Sequence, residues 1–214
     1  MKQKIVVVDY GMGNIHSVVT ALEYVTDGQA EVLLTSQPEL IQKADRIVFP
    51  GQGAAKDCMR ELQTLGLDQA VLEVAQQKPF LGICMGLQVL MAHSEENDGV
   101  DCLGLYPGEV RHFGEVSEKG ERLKIPHMGW NNISQTRLHP LWKNIADNSR
   151  FYFVHSYYVD PEDAALTVGE CEYGLTFTAA IARDNVFALQ CHPEKSAAAG
   201  LQLLTNFIEW DGTE

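Results

Sequence analysis

Apolar positions in the first half of the chain come in short continuous runs. Four such runs, rich in β-branched residues, span residues 5–8, 32–34, 46–49 and 80–83. A continuous apolar run is typical of a strand that is buried on both faces, as strands of parallel sheets are. We therefore predict four parallel strands at the centre of the fold.

The segments between these runs favour helices. Residues 15–26, 38–44, 54–65 and 67–77 lie between or beside the strands, and a further helix is predicted over residues 85–93. Alternation of strand and helix is typical of a doubly wound sheet with right-handed crossovers. The pattern indicates an α/β protein with a mostly parallel central sheet flanked by helices.

The pattern changes after Gly99, where shorter strands rich in aromatic residues are predicted. They cover residues 109–113, 151–159, 176–183 and 186–190, and a final helix is predicted over 197–210. The Asp184-Asn185 pair is typical of a turn, so the last two strands should form a hairpin. This C-terminal part is therefore expected to be more antiparallel. Because no linker interrupts the sequence, we expect residues 1–214 to form one domain.

Charge and cysteine content narrow the possible functions. The net charge of -13 would repel nucleic-acid phosphates, and no run of Lys and Arg offsets it, so no nucleic-acid partner is expected. No apolar run is long enough to span a membrane. The five cysteines contain no C-x-x-C pair, which argues against a disulfide framework and structural zinc. We expect a cytoplasmic protein without metal or cofactor.

The segment "GICMG" places Cys84 between Gly82 and Gly86, where a buried strand is predicted to give way to a helix. Side chains two residues before and after such a corner would collide, and glycine removes the collision. The pattern is the cysteine counterpart of the G-x-S-x-G nucleophile elbow. A helix N-terminus also favours a thiolate. Cys84 is thus a candidate nucleophile, and the alternative is a small core residue.

A base for this nucleophile is available in the segment "CHPEK". Glu194 lies two residues after His192, and Pro193 should keep the backbone between them extended, so that both side chains point the same way. Glu194 could then orient the imidazole while the other ring nitrogen takes the thiol proton. Alone, the pair could equally be solvated side chains. With the elbow, it predicts a triad of Cys84, His192 and Glu194.

An oxyanion hole is expected beside the nucleophile. The backbone N–H of Met85 is one candidate donor, and Gly53 in the turn "PGQG" is a second, although an ordinary turn is the alternative. The segment "GMGNIH" lacks the third glycine of a dinucleotide-binding motif, and no ribose-binding acid follows the second strand. Dinucleotide binding is therefore not expected.

The glycine turn, the elbow and the H-P-E motif, in this order and spacing, resemble the class I (triad) glutamine amidotransferases. The likeness covers nearly the whole chain. It implies that Cys84 attacks the side-chain amide of L-glutamine, that ammonia leaves, and that water hydrolyses the γ-glutamyl thioester. It also implies that Gly51, Gln88, Ser156 and Tyr157 line the glutamine pocket.

Two further segments, "PHMGWN" and "HPEKS", discriminate within the class. They are similar to those of glutaminases that pass ammonia to a separate cyclase subunit, a (β/α)8 barrel, in a heterodimer. The resemblance implies a partner interface that includes Asn14, His127, Trp130 and Lys195, of which His127 and Trp130 are expected in a loop. One departure is Gln52, where the family commonly has a small apolar residue.

Three alternatives stay open at this point. The chain could supply ammonia to a different acceptor, it could be a cysteine peptidase of related fold, or it could be a binding module without activity. The presence of all three triad residues argues against the last. Gln88 and the Ser156-Tyr157 segment favour free glutamine over a peptide.

Overall fold

The computed structural model describes residues 2–13, 15–115, 117, 120 and 122–213. Within these residues, one mixed sheet of thirteen strands is flanked by six α-helices. The strands are β1 (Gln3–Val8), β2 (Ala30–Thr35), β3 (Arg46–Gly51), β4 (Phe80–Cys84), β5 (Met91–Ser94), β6 (Val100–Asp101), β7 (Tyr106–His112), β8 (His127–Gln135), β9 (Ser149–His155), β10 (Tyr157–Pro161), β11 (Thr167–Glu172), β12 (Thr176–Arg183) and β13 (Val186–Leu189). The helices are α1 (Ile15–Thr26), α2 (Pro38–Gln42), α3 (Ala55–Thr64), α4 (Leu67–Ala75), α5 (Met85–Gln88) and α6 (Ala197–Glu209).

The four early strands are parallel, as predicted. Together with β13 they lie side by side in the order β2-β1-β3-β4-β13. The α/β class, the mostly parallel centre and the flanking helices are therefore confirmed. β3 runs two residues further than predicted, so that Gly51 pairs with Cys84.

Burial on both faces explains the continuous apolar runs. Ile5 and Val7 of β1 pack in a core that also contains residues of α1 and α6. The intervening Val6 and Val8 belong to a second core, which includes residues of α2, α3 and α4. Since neighbouring side chains of a strand point to opposite faces, every position of such a strand must be apolar.

The C-terminal half is largely antiparallel, as predicted. β12 and β13 form the expected hairpin, and Arg183 pairs with Val186 across the turn. The single strand predicted over residues 151–159 is wrong, because the chain leaves one pairing at Ser156 and enters another. β9 before this break pairs with β8, and β10 after it pairs with β7.

The helix predicted over residues 85–93 is also wrong. α5 ends after four residues at Gln88, and β5 begins at Met91. β5 pairs with β7, which joins Met91 to Tyr106 and Ser94 to Val110. A short apolar run fits a buried helix or a buried strand equally well, and here pairing with a later strand decides. The loop expected around His127 and Trp130 is in fact β8.

The corner between β4 and α5 contains no loop residue. Cys84, which occupies it, has φ of 56° and ψ of -108°, a conformation that residues with a side chain rarely adopt. A Cβ atom on Gly86 would lie 1.8 Å from the carbonyl oxygen of Phe49 in β3. A Cβ atom on Gly82 would lie 2.7 Å from Cβ of Ala188 and 2.9 Å from the carbonyl oxygen of Gly86. Both glycines allow the corner to pack directly on its neighbouring strands.

None of the described helices combines the length and the apolar character that crossing a membrane requires.

The packing at this corner predicts that alanine substitution destabilises the protein by different amounts at two glycines. Gly86→Ala should lower the free energy of unfolding by about 3 kcal/mol or more, because the clash is with backbone that cannot rotate away. Gly28→Ala is the control, since Gly28 has φ of +70° but open space around it, and the strain alone should cost about 1–2 kcal/mol. Urea denaturation of both variants measures the difference. Equal losses would contradict the role given to the contact with Phe49.

Candidate active site

Strand register brings the predicted site residues to one edge of the sheet. Cys84 pairs with Gly51 at the end of β3, and Ile83 pairs with Leu189 at the end of β13. The glycine turn and the segment that contains His192 therefore lie on either side of the corner. Cys84 is 6% exposed, so nearly all of this residue is shielded from solvent.

His192 and Glu194 form a buried pair. Nδ1 of His192 lies 2.8 Å from Oε1 of Glu194, and the side chains are 2% and 1% exposed. The segment between them is not extended as expected, because Pro193–Lys195 forms a single 3-10 turn and the N–H of Lys195 donates to the carbonyl of His192. This turn still brings both side chains together. Nε2 of His192 has no hydrogen-bond partner among the described residues.

The charge balance at His192 favours the imidazolium. Burial alone would lower its pKa, but the nearby Cys84 and Glu194 side chains outweigh burial and raise the pKa to about 10. Because Nε2 makes no hydrogen bond of ordinary geometry, we attribute the effect of Cys84 to proximity and charge. A protonated ring beside a sulfur atom is what an ion pair of thiolate and imidazolium requires.

A cavity of about 520 Å³ opens above Cys84. Its size lies within the usual range of small-molecule sites. The predicted site residues that line it are Gly53, Cys84, Met85, Gln88, Ser156, Tyr157, His192 and Lys195. Gly51 and Glu194 instead line a smaller space, which Ile83 and His192 also border.

The glycine turn after β3 is held by close contacts. A Cβ atom on Gly51 would lie 2.0 Å from the Tyr10 hydroxyl, so only glycine fits there. The carbonyl of Gln52 accepts a hydrogen bond from Sγ of Cys58 at 3.5 Å. Gly53 has φ of +96°, which favours glycine. Gln52 lines the cavity, so the departure from the family pattern falls at the site itself.

Several other residues that line the cavity do not follow from the sequence patterns: Glu96, Pro126, Tyr152, Val154 and His155. Glu96 introduces a carboxylate, and its Oε2 accepts from the N–H of Ala55 at 2.6 Å. The pKa of Tyr157 is raised by partial burial and then by the carboxylates of Glu96 and Glu95. Nothing in the polar segment around Glu96 distinguishes this residue, because its place in the cavity depends on folding beside α3 and β7.

An amide network lies beneath the cavity floor. Nε2 of Gln88 donates to the carbonyl of Tyr157 at 3.0 Å and to Oε1 of Gln190 at 2.9 Å. Nε2 of Gln190 lies 3.7 Å from Sγ of Cys84. Oε1 of Gln88 is buried and has no hydrogen-bond partner among the described residues. Gln190 was not found from the sequence, although it stands just before the H-P-E motif.

Two buried histidines extend the network beyond the Tyr157 carbonyl: His155 contacts this oxygen, and His127 contacts His155. Nδ1 of His155 lies 2.7 Å from the Tyr157 carbonyl oxygen, and Nε2 of His155 lies 2.9 Å from Nδ1 of His127. Burial lowers the pKa of His127 to about 4 and that of His155 to about 3. Both rings are therefore neutral at pH 7.

The residues predicted at a partner interface occupy different environments. Trp130 is 44% exposed on β8, where its ring meets that of Tyr152, and the neighbouring Met128 is 57% exposed. Nζ of Lys195 lies 6.0 Å from the centre of the Tyr152 ring. His127 is only 4% exposed, so its side chain does not reach the surface of this chain. Asn14 lies outside the described residues.

No group of three His, Cys, Asp or Glu side chains in the described part of the chain is placed to hold a metal ion.

Comparison with known proteins identifies the class. The family model of the class I glutamine amidotransferases matches residues 6–210. The chain belongs to this family. Imidazole glycerol phosphate synthase subunit HisH of Pseudomonas putida is 58% identical over 211 residues, which is 98% of this chain and 99% of that protein. Imidazole glycerol phosphate synthase subunit HisH 1 of Pseudomonas aeruginosa is 57% identical over 213 residues, 99% of each chain.

Solved structures agree on the fold. A crystal structure of a glutamine amidotransferase superposes with a TM-score of 0.71 at 15% identity, over 95% of this chain and 97% of that one. PurLQS from Thermotoga maritima gives a TM-score of 0.68 at 19% identity, over 98% of this chain and 99% of that one. At such identities the similarity is evidence for the fold alone.

The raised pKa of His192 can be tested by nuclear magnetic resonance. The ring nitrogens should report an imidazolium at pH 8 that titrates near pH 10. Because the folded pKa exceeds the unfolded value of 6.5, protonated His192 contributes its full stability below pH 6.5 and loses it as pH rises toward 10. Glu194→Gln should lower the pKa, since a neutral amide stabilises the charged ring less.

Glu39→Gln is the control for this titration, because Glu39 is exposed in the first turn of α2, far from the site. It should leave the His192 titration unchanged. A wild-type ring that titrates between pH 6 and 7 would contradict the charge balance described here.

Proposed function

We propose that this chain is the glutamine amidotransferase subunit of an imidazole glycerol phosphate synthase, an enzyme of histidine biosynthesis. The observation that carries the proposal is a strained cysteine at the floor of a cavity, beside a buried pair of His192 and Glu194. The full-length similarity to subunits of that name supports the particular enzyme. The chain would hydrolyse L-glutamine to glutamate and ammonia in the cytoplasm.

The proposed chemistry uses Cys84, His192 and Glu194 as a triad. Sγ of Cys84 attacks the carbonyl carbon of the glutamine side-chain amide, and the C–N bond breaks. His192 supplies the proton with which ammonia leaves, and then takes a proton from the water that attacks the γ-glutamyl thioester. The C–S bond breaks, which regenerates the thiolate and releases glutamate. Glu194 orients the ring through the 2.8 Å contact with Nδ1.

The tetrahedral intermediates carry a negative oxygen that needs hydrogen-bond donors. We assign the backbone N–H of Met85 as one donor, because Met85 directly follows the nucleophile at the start of α5. Gly53 is the second candidate, because it lines the same cavity and its backbone is free of a side chain. Removal of one such donor typically slows catalysis by about 10²–10³-fold.

The other end of glutamine is an ammonium and a carboxylate. Oε1 of Gln88 and the Glu96 carboxylate are the acceptors that suit the ammonium, since Gln88 and Glu96 both line the cavity and the buried Oε1 of Gln88 has no hydrogen-bond partner in the described chain. Ser156 and Tyr157, at the break between β9 and β10, complete the binding of the amino acid end.

The proposed partner is the cyclase subunit, a (β/α)8 barrel, in a heterodimer. It would combine ammonia with a phosphorylated ribulosyl aminoimidazole carboxamide intermediate, PRFAR, and release imidazole glycerol phosphate and AICAR. Exposed Met128 and Trp130 on β8, next to Tyr152 and Lys195 at the rim of the cavity, support an interface there. Neither nucleic acid nor a membrane has a part in this proposal.

The nucleophile is tested by Cys84→Ala. The variant should lose glutamine hydrolysis completely, while its complex with the cyclase subunit still makes product from ammonium salts. Cys102→Ala is the matched control, because Cys102 is half-buried away from the site and should retain activity. Glutamine-dependent product formation near the wild-type rate in Cys84→Ala would refute the assignment of the nucleophile.

The partner should also control the glutaminase. Ammonia lost to water is wasted, and we propose that the partner shifts the Gly51–Gly53 turn toward a conformation whose N–H groups face the intermediate. Hydrolysis should therefore rise stepwise from the isolated chain to the complex and to the complex with the cyclase ligand. Each tenfold rise needs about 1.4 kcal/mol of preferential binding to the active conformation.

Gly53→Ala should blunt this rise without preventing assembly, because alanine is strained at φ of +96°. Gly66→Ala is the control, since Gly66 has φ of +65° with open space around it. Steady-state rates of glutamine hydrolysis by the isolated chain, by the complex, and by the complex with the cyclase ligand measure the effect. Equal rates in all three would reject control by the partner while leaving the triad intact.

A further inference from the structure

A buried amide ends the hydrogen-bond network at the proposed nucleophile. Gln190 directly follows β13, is 0% exposed, and donates from Nε2 toward Sγ of Cys84 over 3.7 Å. The backbone N–H of Gln190 donates to the carbonyl of Ala179 at 2.8 Å. This hydrogen bond fixes the backbone from which the side chain extends. An uncharged polar side chain in such a position loses its hydration and must gain hydrogen bonds in return.

The backbone carbonyl of Tyr157 determines the orientation of the Gln190 side-chain amide, through Gln88. The backbone oxygen of Tyr157 can only accept, so Gln88 must turn its NH₂ group toward it. The same NH₂ group donates its second hydrogen to Gln190, which must therefore turn its oxygen to Gln88 and its NH₂ to the sulfur. The reverse orientation would place two NH₂ groups 2.9 Å apart.

The histidine pair fixes the same carbonyl from the opposite side. Nδ1 of His155 must carry the hydrogen that reaches Tyr157, so its Nε2 accepts from Nδ1 of His127. Nε2 of His127 then accepts from the Asn131 amide at 3.2 Å. Each group therefore has one consistent role as donor or acceptor. The Tyr157 carbonyl accepts hydrogen bonds from both Gln88 and His155.

We infer that Gln190 is a catalytic residue, whose amide N–H donates a hydrogen bond to the sulfur of Cys84 and stabilises its thiolate. The inference rests on the proposed role of Cys84 as the nucleophile. A hydrogen bond to a charged acceptor is stronger than one to a neutral acceptor. The contact therefore favours the thiolate both as the attacking group and as the group that leaves when the thioester is hydrolysed.

Alkylation of Cys84 by iodoacetamide tests this directly, because the reagent is small and uncharged and does not need the groups proposed to bind the amino acid end of glutamine. Gln190→Glu keeps the shape and can still accept from Gln88, but presents a carboxylate to the sulfur. Gln190→Met removes the donor without adding charge. Both variants should be alkylated about 10- to 100-fold more slowly than the wild type at pH 8, the loss expected for a hydrogen bond to a charged group.

Hydrolysis kinetics give a second measurement. In Gln190→Glu, kcat should fall by about the same factor as alkylation, whereas KM should change by less than about threefold, because Gln88 keeps its acceptor. Gln202→Glu is the matched control: Gln202 is half-buried on α6, donates to Asn206 at 2.8 Å, and lies outside the site. It should match the wild type in both assays.

Circular dichroism and thermal unfolding establish that each variant is folded. If Gln190→Met does not fold, the isosteric Gln190→Glu decides. Alkylation within twofold of the wild type in a folded variant overturns the inference, whatever happens to hydrolysis. Because alkylation needs no glutamine, that result would leave the glutaminase function standing, which the Cys84→Ala experiment tests separately.

Discussion

The site depends on one close approach, that of the Gly86 backbone to the carbonyl group of Phe49. It allows α5 to begin directly at the end of β4, with Cys84 at the corner in a conformation with positive φ. The pairing of β4 with β3 and β13 then brings the glycine turn and the H-P-E segment to the same corner. Helix polarity contributes less than the sequence indicated, because α5 is a single turn and has little dipole to offer.

Around this corner, polar groups are arranged by hydrogen bonds rather than by charge pairs alone. The Tyr157 carbonyl accepts from Gln88 on one side and from His155 on the other. Through these hydrogen bonds, the floor of the cavity is connected to β8, whose outer surface carries Trp130. A continuous set of hydrogen bonds therefore joins His127 of β8 to the sulfur of Cys84.

The sequence predicts the parts of this fold that local patterns determine. Continuous apolar runs identified β1 to β4, and paired glycines identified the corner at Cys84. Features set by distant pairing do not follow from local patterns: the apolar run of β5 predicts a helix, because its partner β7 lies further along the chain. The His127 ring, which is predicted at a partner interface, stacks on Tyr173 with centroids 4.0 Å apart and is buried within this chain. Glu96 and Gln190 became visible only from their neighbours in space.

The backbone at Cys84 also limits which nucleophiles this architecture could use. Its φ of 56° is tolerated by a residue with a single γ atom, but it is a severe outlier for a β-branched one. Threonine, which serves as a nucleophile in other hydrolases, is therefore disfavoured at this corner, whereas serine and aspartate have the unbranched Cβ atom that it requires. A new hydrolase that evolved on this scaffold would draw its nucleophile from such unbranched side chains unless the corner itself were rebuilt.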